Sequence, residues 1–185
     1  MKQLMKRKKI LLALLLVFLA PGALAILFYM NPSWLGGLPT NKGQLIRPAI
    51  QLDGLVNPKT ADMWHLVVWC PAGCDTACLN TVDDMARVRL ALGRRLYQVD
   101  VWMFQPETGA MCAKNIVGAL TEAAVKTQVL SASEQEAVSI LKTQTASKIF
   151  LADPSQYVVL EYAAKGEKQG VFQDLKRLMN TREQA

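Results

Sequence analysis

Three cysteines fall within nine residues, Cys70-Pro-Ala-Gly-Cys74-Asp-Thr-Ala-Cys78, and a fourth, Cys112, follows in a chain of 185 residues. Thiols spaced this closely can exchange with disulfides, close disulfides of their own, or bind a soft metal ion. Cys74 stands where a helix is expected to begin. Asp75 suits its N-cap, and first-turn amide N–H groups with the positive end of the helix dipole favour thiolate over thiol. Cys78, four residues on, lies on nearly the same face about one turn away. Cys74 and Cys78 are therefore the candidate reactive pair, able to close a disulfide or share one metal ion. Zinc fits poorly, because a closed site needs four ligands and the chain has a single histidine, His65. The alternative is that the cysteines of an exported domain are structural disulfides. Cys112 follows the second core strand by eight residues, and the ends of parallel strands share one sheet edge. Its loop can thus return to Cys70, and a Cys70–Cys112 disulfide would leave Cys74 and Cys78 as a separate reactive pair.

The elements that must position these residues follow from hydrophobic pattern. Residues 64–69 (Trp-His-Leu-Val-Val-Trp) and 97–104 are β-rich runs, the first nearly all apolar, as a strand buried on both faces would be. Residues 148–152 and 157–163 are two more, separated by Asp153-Pro-Ser-Gln156, a length that suits an antiparallel hairpin. A helix is expected over 75–92, with Val82, Met85, Ala86 and Leu90 at helical spacing and a stop at Gly93. Others are expected over 133–143, opened by a capping box of Ser133 with Glu136, over 171–179, and over 121–126. Residues 44–53 should add a strand or hairpin ahead of the core. Strand, helix, strand, helices, strand, strand, helix is an α/β order that matches a thioredoxin-like fold, with the cysteines where the first buried strand gives way to a helix.

The amino terminus has a different composition. Residues 10–30 are 21 in a row without a charge, long enough at ~1.5 Å per residue to cross a hydrocarbon core of ~30 Å. Lys2, Lys6, Arg7, Lys8 and Lys9 precede them and no charge follows until Lys42, which puts the amino terminus in the cytoplasm and the body across the membrane. Pro21-Gly22 and Ala23-Leu24-Ala25 also suit a cleaved signal peptide, but the apolar run continues through Ile26, Leu27 and Phe28, as an uncleaved anchor requires. Either reading exports the body. The expected organisation is a basic tail and single transmembrane helix over 1–30, a Pro- and Gly-containing linker over 31–43 with Trp34 at the lipid headgroups, and one domain over 44–185.

Charge excludes one class of partner. With those five basic residues set aside, 16 of the 21 remain against 15 acidic ones, so the body is nearly neutral and no nucleic-acid surface is indicated. There is no Ser-His-Asp set, phosphate loop or paired-carboxylate arrangement. Arg87, Arg89, Arg94 and Arg95 read as cations complementing the end of a helix. Met85 and Met103 follow core patterns, leaving Met63 and Met111 as the other soft sulfurs near the pattern. His65 opens a buried strand nine residues before Cys74 and reads as structural.

In order along the chain, the anchor, Asn41-Lys-Gly-Gln-Leu-Ile-Arg-Pro48, the strand from Trp64 into Cys-x-x-x-Cys, Ile149-Phe-Leu-Ala-Asp-Pro154, Tyr162 and Asp174-Leu-Lys-Arg-Leu178 resemble the SCO/SenC family of membrane-anchored, thioredoxin-like proteins that help assemble cytochrome c oxidase. Two registers fit the family's cysteine pair. Cys70-Pro-Ala-Gly-Cys74 matches its Cys-Pro-x-x-Cys string, while Cys74 and Cys78 match the spacing. The second is preferred, because a short loop after the strand brings Cys74, not Cys70, to the helix start. The resemblance implies thiol–disulfide exchange or copper handling at Cys74 and Cys78. Its implied partner is a cytochrome c oxidase subunit or another assembly factor, and its implied location the inner membrane, with the domain in the periplasm. The distal histidine that completes the family's copper site is missing from Thr143-Gln-Thr-Ala-Ser147, so Cu(II), which favours imidazole, would lack a ligand. The cis-proline a thioredoxin places before its third core strand is missing too. A non-catalytic thioredoxin-like binding module with structural disulfides is the competing reading.

Overall fold

A computed structural model of the chain describes residues 2–31, 41–52, 54–56, 62–138 and 144–183. The chain divides into two compact units, Met1–Thr40 and Asn41–Ala185.

Among the described residues the first unit holds one helix, α1 (Lys2–Met30), with Pro21 inside it. Most of its described side chains, Leu14, Leu16, Phe18 and Ile26 among them, are exposed, and Ala20 and Phe28 are half-buried. Among the described residues no helix is long and apolar enough to cross a membrane. Trp34 and most of the expected linker lie outside the described residues.

The second unit is a six-stranded mixed sheet in the order β1-β6-β5-β2-β3-β4. Its strands are β1 (Gln44–Gln51), β2 (Trp64–Trp69), β3 (Val99–Pro106), β4 (Val125–Leu130), β5 (Lys148–Ala152) and β6 (Tyr157–Ala163). β2, β3 and β4 run parallel, while β5, β6 and β1 are added antiparallel on the other side. Parallel strands must be joined by crossovers, and helices supply them. α2 (Thr76–Ala91) links β2 to β3 through a 3-10 turn at Gly93–Gln98, and α3 (Lys114–Glu122) links β3 to β4. α4 (Ala132–Ala137) follows β4, and α5 (Lys168–Glu183) closes the chain.

Alternation along the strands divides the core in two. Leu66, Val68 and Cys70 face one side with Val101 and Met103, under Val82 and Met85 of α2, Leu120 of α3 and Val171, Leu175 and Met179 of α5. Val67 and Trp69 face the other with Trp102, Phe104 and Phe150, covered by Leu52, Leu55, Val56 and Val138. Every residue of β2 and β3 is buried, as their central place requires. Side chains such as Phe104 and Leu66 each contribute about 1.5–3 kcal/mol by leaving water.

Two expectations need correction. The helix expected over 121–126 is the end of α3 followed by β4, with Ala124 turning the chain at φ 57°. Val-Lys-Thr-Gln-Val-Leu carries little strand signal, because an edge strand buries only Val125 and Leu130; pairing with β3 from Val101–Val125 to Pro106–Leu130 makes it a strand. The capping box is Ser131 with Glu134, two residues earlier than expected: Ser131 N donates to Glu134 Oε2 at 2.8 Å, and Glu134 N to Ser131 Oγ at 3.4 Å. β4 ends at Leu130, so Ser131 is the first residue available as a cap. Of the helix expected there, residues 139–143 lie outside the described residues.

Candidate redox site

The site is built where β2 ends. Cys70 N donates to Phe104 O at 2.9 Å and extends the parallel ladder by one residue; the chain then turns, with Gly73 N donating to Cys70 O at 2.9 Å. Gly73 takes φ +82°, which L side chains rarely adopt, and a Cβ there would run into the backbone N and O of Ala110. That close approach is a second strand-like contact. Gly73 and Ala110 form an isolated parallel bridge, with Cys74 N donating to Ala110 O at 2.8 Å and Ala110 N to Ala72 O at 3.1 Å. Asp75 then caps α2, its Oδ1 accepting from Cys78 N at 2.6 Å.

This backbone determines the sulfur pairing. Cys70 is bonded to Cys78 (Cα–Cα 5.6 Å) and Cys74 to Cys112 (Cα–Cα 5.1 Å), and no cysteine is free. The expected Cys70–Cys112 bond is therefore not formed, and Cys74 and Cys78 are not bonded to each other. The reason is one of faces. Cys70 continues the inward set of Leu66 and Val68, so it points at the layer where Cys78, Val82 and Met85 line the buried side of α2. The loop after β3 does return to this edge, as expected. It docks on residues 72–74 through the Gly73–Ala110 bridge and so delivers Cys112 to Cys74.

The two bonds differ in access. Cys70 and Cys78 are both 0% exposed, while Cys74 and Cys112 are half-buried and pack against the same cluster from outside. Their surroundings differ too. Cys74 immediately precedes the N-cap of α2, whose dipole favours negative charge. Cys112 Sγ lies 3.9 Å from Oε1 of the buried Gln105, an acceptor for its thiol once the bond opens, and Gln105 Nε2 is held 3.4 Å from Met111 Sδ. An acceptor oxygen favours the protonated form. Sequence reasoning missed Gln105, which reads as one more inward residue of β3. It also passed over Gly73, although a glycine beside a cysteine at a strand end signals close backbone approach.

The remaining candidates lie elsewhere. His65 is fully buried on the opposite face of the sheet, across from Asp100, and neither ring nitrogen has a hydrogen-bond partner. Burial lowers its pKa below 6.5. Met85 and Met103 are core residues, while Met111 is exposed. Arg87 pairs with Asp83 one turn earlier at 2.8 Å on the surface of α2, and Arg89, in the last turn, donates from Nε to Val99 O at 2.7 Å. Thr143 lies outside the described residues. A groove of about 360 Å³ along α2 is lined by Ala77, Asn80, Asp84, Ser147 and Lys165 and by none of the four cysteines.

A mixed sheet carrying α2, α3 and α5 on one face, with paired cysteines between a central parallel strand and the helix after it, defines a thioredoxin-like protein. The chain belongs to the family described as transmembrane-like, thioredoxin-like, C-terminal domain, which matches residues 64–181, more than half of its length. No curated protein matches it. Among solved structures it is similar to the apo Sco1 protein from Thermus thermophilus, at 17% identity over 76% of this chain and 98% of that one, with a TM-score of 0.53. A thiol:disulfide interchange protein from Bacteroides sp. matches at 16% identity over 75% and 90% of the two chains, TM-score 0.47. ScoI from Bradyrhizobium japonicum with copper bound matches at 17% over 73% and 98%, TM-score 0.44. At these identities the likeness is one of fold.

The residues present do not fit a copper site in this form. Cys74 and Cys78 are held in separate disulfides, whose sulfurs are not thiolate ligands, and His65 lies on the far face of the sheet. Among the described residues no three His, Cys, Asp or Glu side chains are grouped to hold a metal ion.

Proposed function

We propose that this protein exchanges disulfides with protein thiols outside the cytoplasm, through the Cys74–Cys112 bond, while anchored to the membrane by α1. The observation that carries the proposal is the half-exposed Cys74–Cys112 bond, with one sulfur beside a helix N-terminus and the other beside an acceptor oxygen. A partner thiolate attacks Cys112 Sγ, and the electron pair of the broken bond leaves on Cys74, the better leaving group because its thiolate is the more stable. The partner's second thiol then attacks its own sulfur in the mixed disulfide and frees Cys112, which takes the proton. The partner loses two electrons and the Cys74–Cys112 pair gains them.

Export and anchoring are supported by the five basic residues ahead of the uncharged 10–30 segment and by four cysteines all in disulfides, the state of an oxidising compartment. The partner class we propose is a cytochrome c oxidase subunit or another factor that assembles it, supported by the resemblance of the 41–48, 64–78, 149–154 and 174–178 segments to SCO/SenC proteins. The experiment is trapping. Cys74→Ser leaves Cys112 as a lone thiol that cannot be displaced from a mixed disulfide by its neighbour. Expressed as the full chain in its native membrane, this variant should accumulate mixed disulfides at Cys112 with oxidase-assembly proteins in their disulfide form: the Cys112 thiolate attacks one sulfur of the partner's bond and the other sulfur leaves as a thiol. A variant that collects none would favour the alternative, a binding module whose disulfides are structural.

A further inference from the structure

We infer that the buried Cys70–Cys78 bond is a second redox equivalent of the same site, reached from solvent only through Cys74. The inference rests on the exchange reading of the Cys74–Cys112 bond. Its basis is the interlacing of the two disulfides. Cys74 stands at the middle of the loop that Cys70–Cys78 closes, four residues from each end. That loop is tightly folded: Gly73 N donates to Cys70 O, Asp75 N to Gly73 O at 2.9 Å, and Cys78 N to Asp75 Oδ1. Cys70 and Cys78 have no exposed surface, whereas Cys74 is half-exposed and packs against the cluster that contains both. A dithiol in solvent meets no exposed sulfur of the inner bond, whereas Cys74 is open to solvent on one side and packs against the cluster that holds Cys70 and Cys78 on the other.

The sequence of steps balances. A partner dithiol first reduces Cys74–Cys112, is itself oxidised to a disulfide, and leaves Cys74 as thiolate and Cys112 as thiol. The Cys74 thiolate then attacks Cys78 Sγ; the Cys70–Cys78 bond breaks, and its electron pair leaves on Cys70, which takes a proton. This second step transfers no net electrons. It exchanges an inner disulfide for Cys74–Cys78, at the start of α2, where a second dithiol can attack the half-exposed Cys74 and reduce the bond by two more electrons. The Cys-x-x-x-Cys pair singled out in the sequence is then the intermediate pairing of a four-electron site, and Cys70 is the thiol released when it forms.

The test uses the full chain in detergent with dithiothreitol as the dithiol, acid quenching, alkylation and peptide mapping. With one equivalent, the two-electron-reduced protein should carry label on Cys70 and Cys112 and a Cys74–Cys78 disulfide. Cys74→Ser, which keeps the inner bond and removes the relay, should slow native-state reduction of Cys70–Cys78 by at least about tenfold. Label confined to Cys74 and Cys112, with Cys70–Cys78 reduced at the same rate in wild type and Cys74→Ser, would overturn the relay and leave the exchange reading intact. If neither bond opens, both fall.

Discussion

Cys74 and Cys112 are joined by one bond but are not equivalent, and the difference lies in single neighbouring groups. Gln105 Oε1 faces Cys112, and the start of α2 faces Cys74. Replacing the acceptor tests this. In the reduced protein, Gln105→Leu should speed alkylation of Cys112 at neutral pH several-fold and leave Cys74 unchanged; equal effects on both would place the asymmetry elsewhere. His65 carries a second prediction. Burial holds its folded-state pKa below 6.5, outweighing the opposing pull of Asp100, while the unfolded chain titrates near ~6.5. The unfolded state therefore binds more protons below that pH, so His65 makes stability fall as pH drops through about 6.5 and costs nothing above it. Urea unfolding of His65→Leu should show a flatter acid limb, with stability at pH 7.5 equal to or above wild type, since a buried polar group without a partner is replaced by an apolar one. At this scale the sequence was legible in type and not in pairing. Four clustered cysteines and the Asp75 cap could be read directly; which sulfur meets which depends on the face of β2 that Cys70 occupies and on where the loop after β3 docks.

The elements β2, β3, β5, β6, α2 and α5 could be read from pattern because each buries a long apolar run or stripe. β4 could not, because its strand state comes from its neighbour. The Gly73–Ala110 bridge was equally hidden, and it is what joins the two halves of the site. Gly73→Ala combines an unfavourable φ with a clash against Ala110 and should destabilise the body by more than about 2 kcal/mol. Gly93→Ala, at φ +61° with open space around it, should cost only about 1–2 kcal/mol. Denaturant titration of both variants checks this, and equal losses would mean that the bridge adds nothing. One cluster of the family-like residues now has a physical account. Asp174 Oδ2 accepts from Lys42 N at 2.7 Å, Gly43 N at 2.9 Å and Tyr162 Oη at 2.9 Å, tying the start of the body to β6 and α5. Burial and Asp174 together push the Tyr162 hydroxyl pKa far upward, so it remains a donor. Asp174→Ala leaves three donors unsatisfied and should cost about 2–4 kcal/mol, measurable in the same titration.

For the whole molecule, the α/β order and the sheet edge that carries the site were legible because alternation of strand and helix constrains topology strongly. The two units make separate predictions. If α1 anchors the chain as proposed, the full chain should sediment with membranes and resist carbonate extraction, while residues 41–185 exported alone should be soluble with both disulfides intact. The central claim concerns that body: its outer disulfide exchanges with partner thiols. The most direct measurement is a redox titration of the full chain in glutathione buffers, with each bond read by alkylation and peptide mapping. The account predicts a first two-electron step above about −300 mV in which the Cys74–Cys112 bond is lost. Reduction of both bonds only at potentials below that, or loss of Cys70–Cys78 while Cys74–Cys112 stays closed, would contradict it.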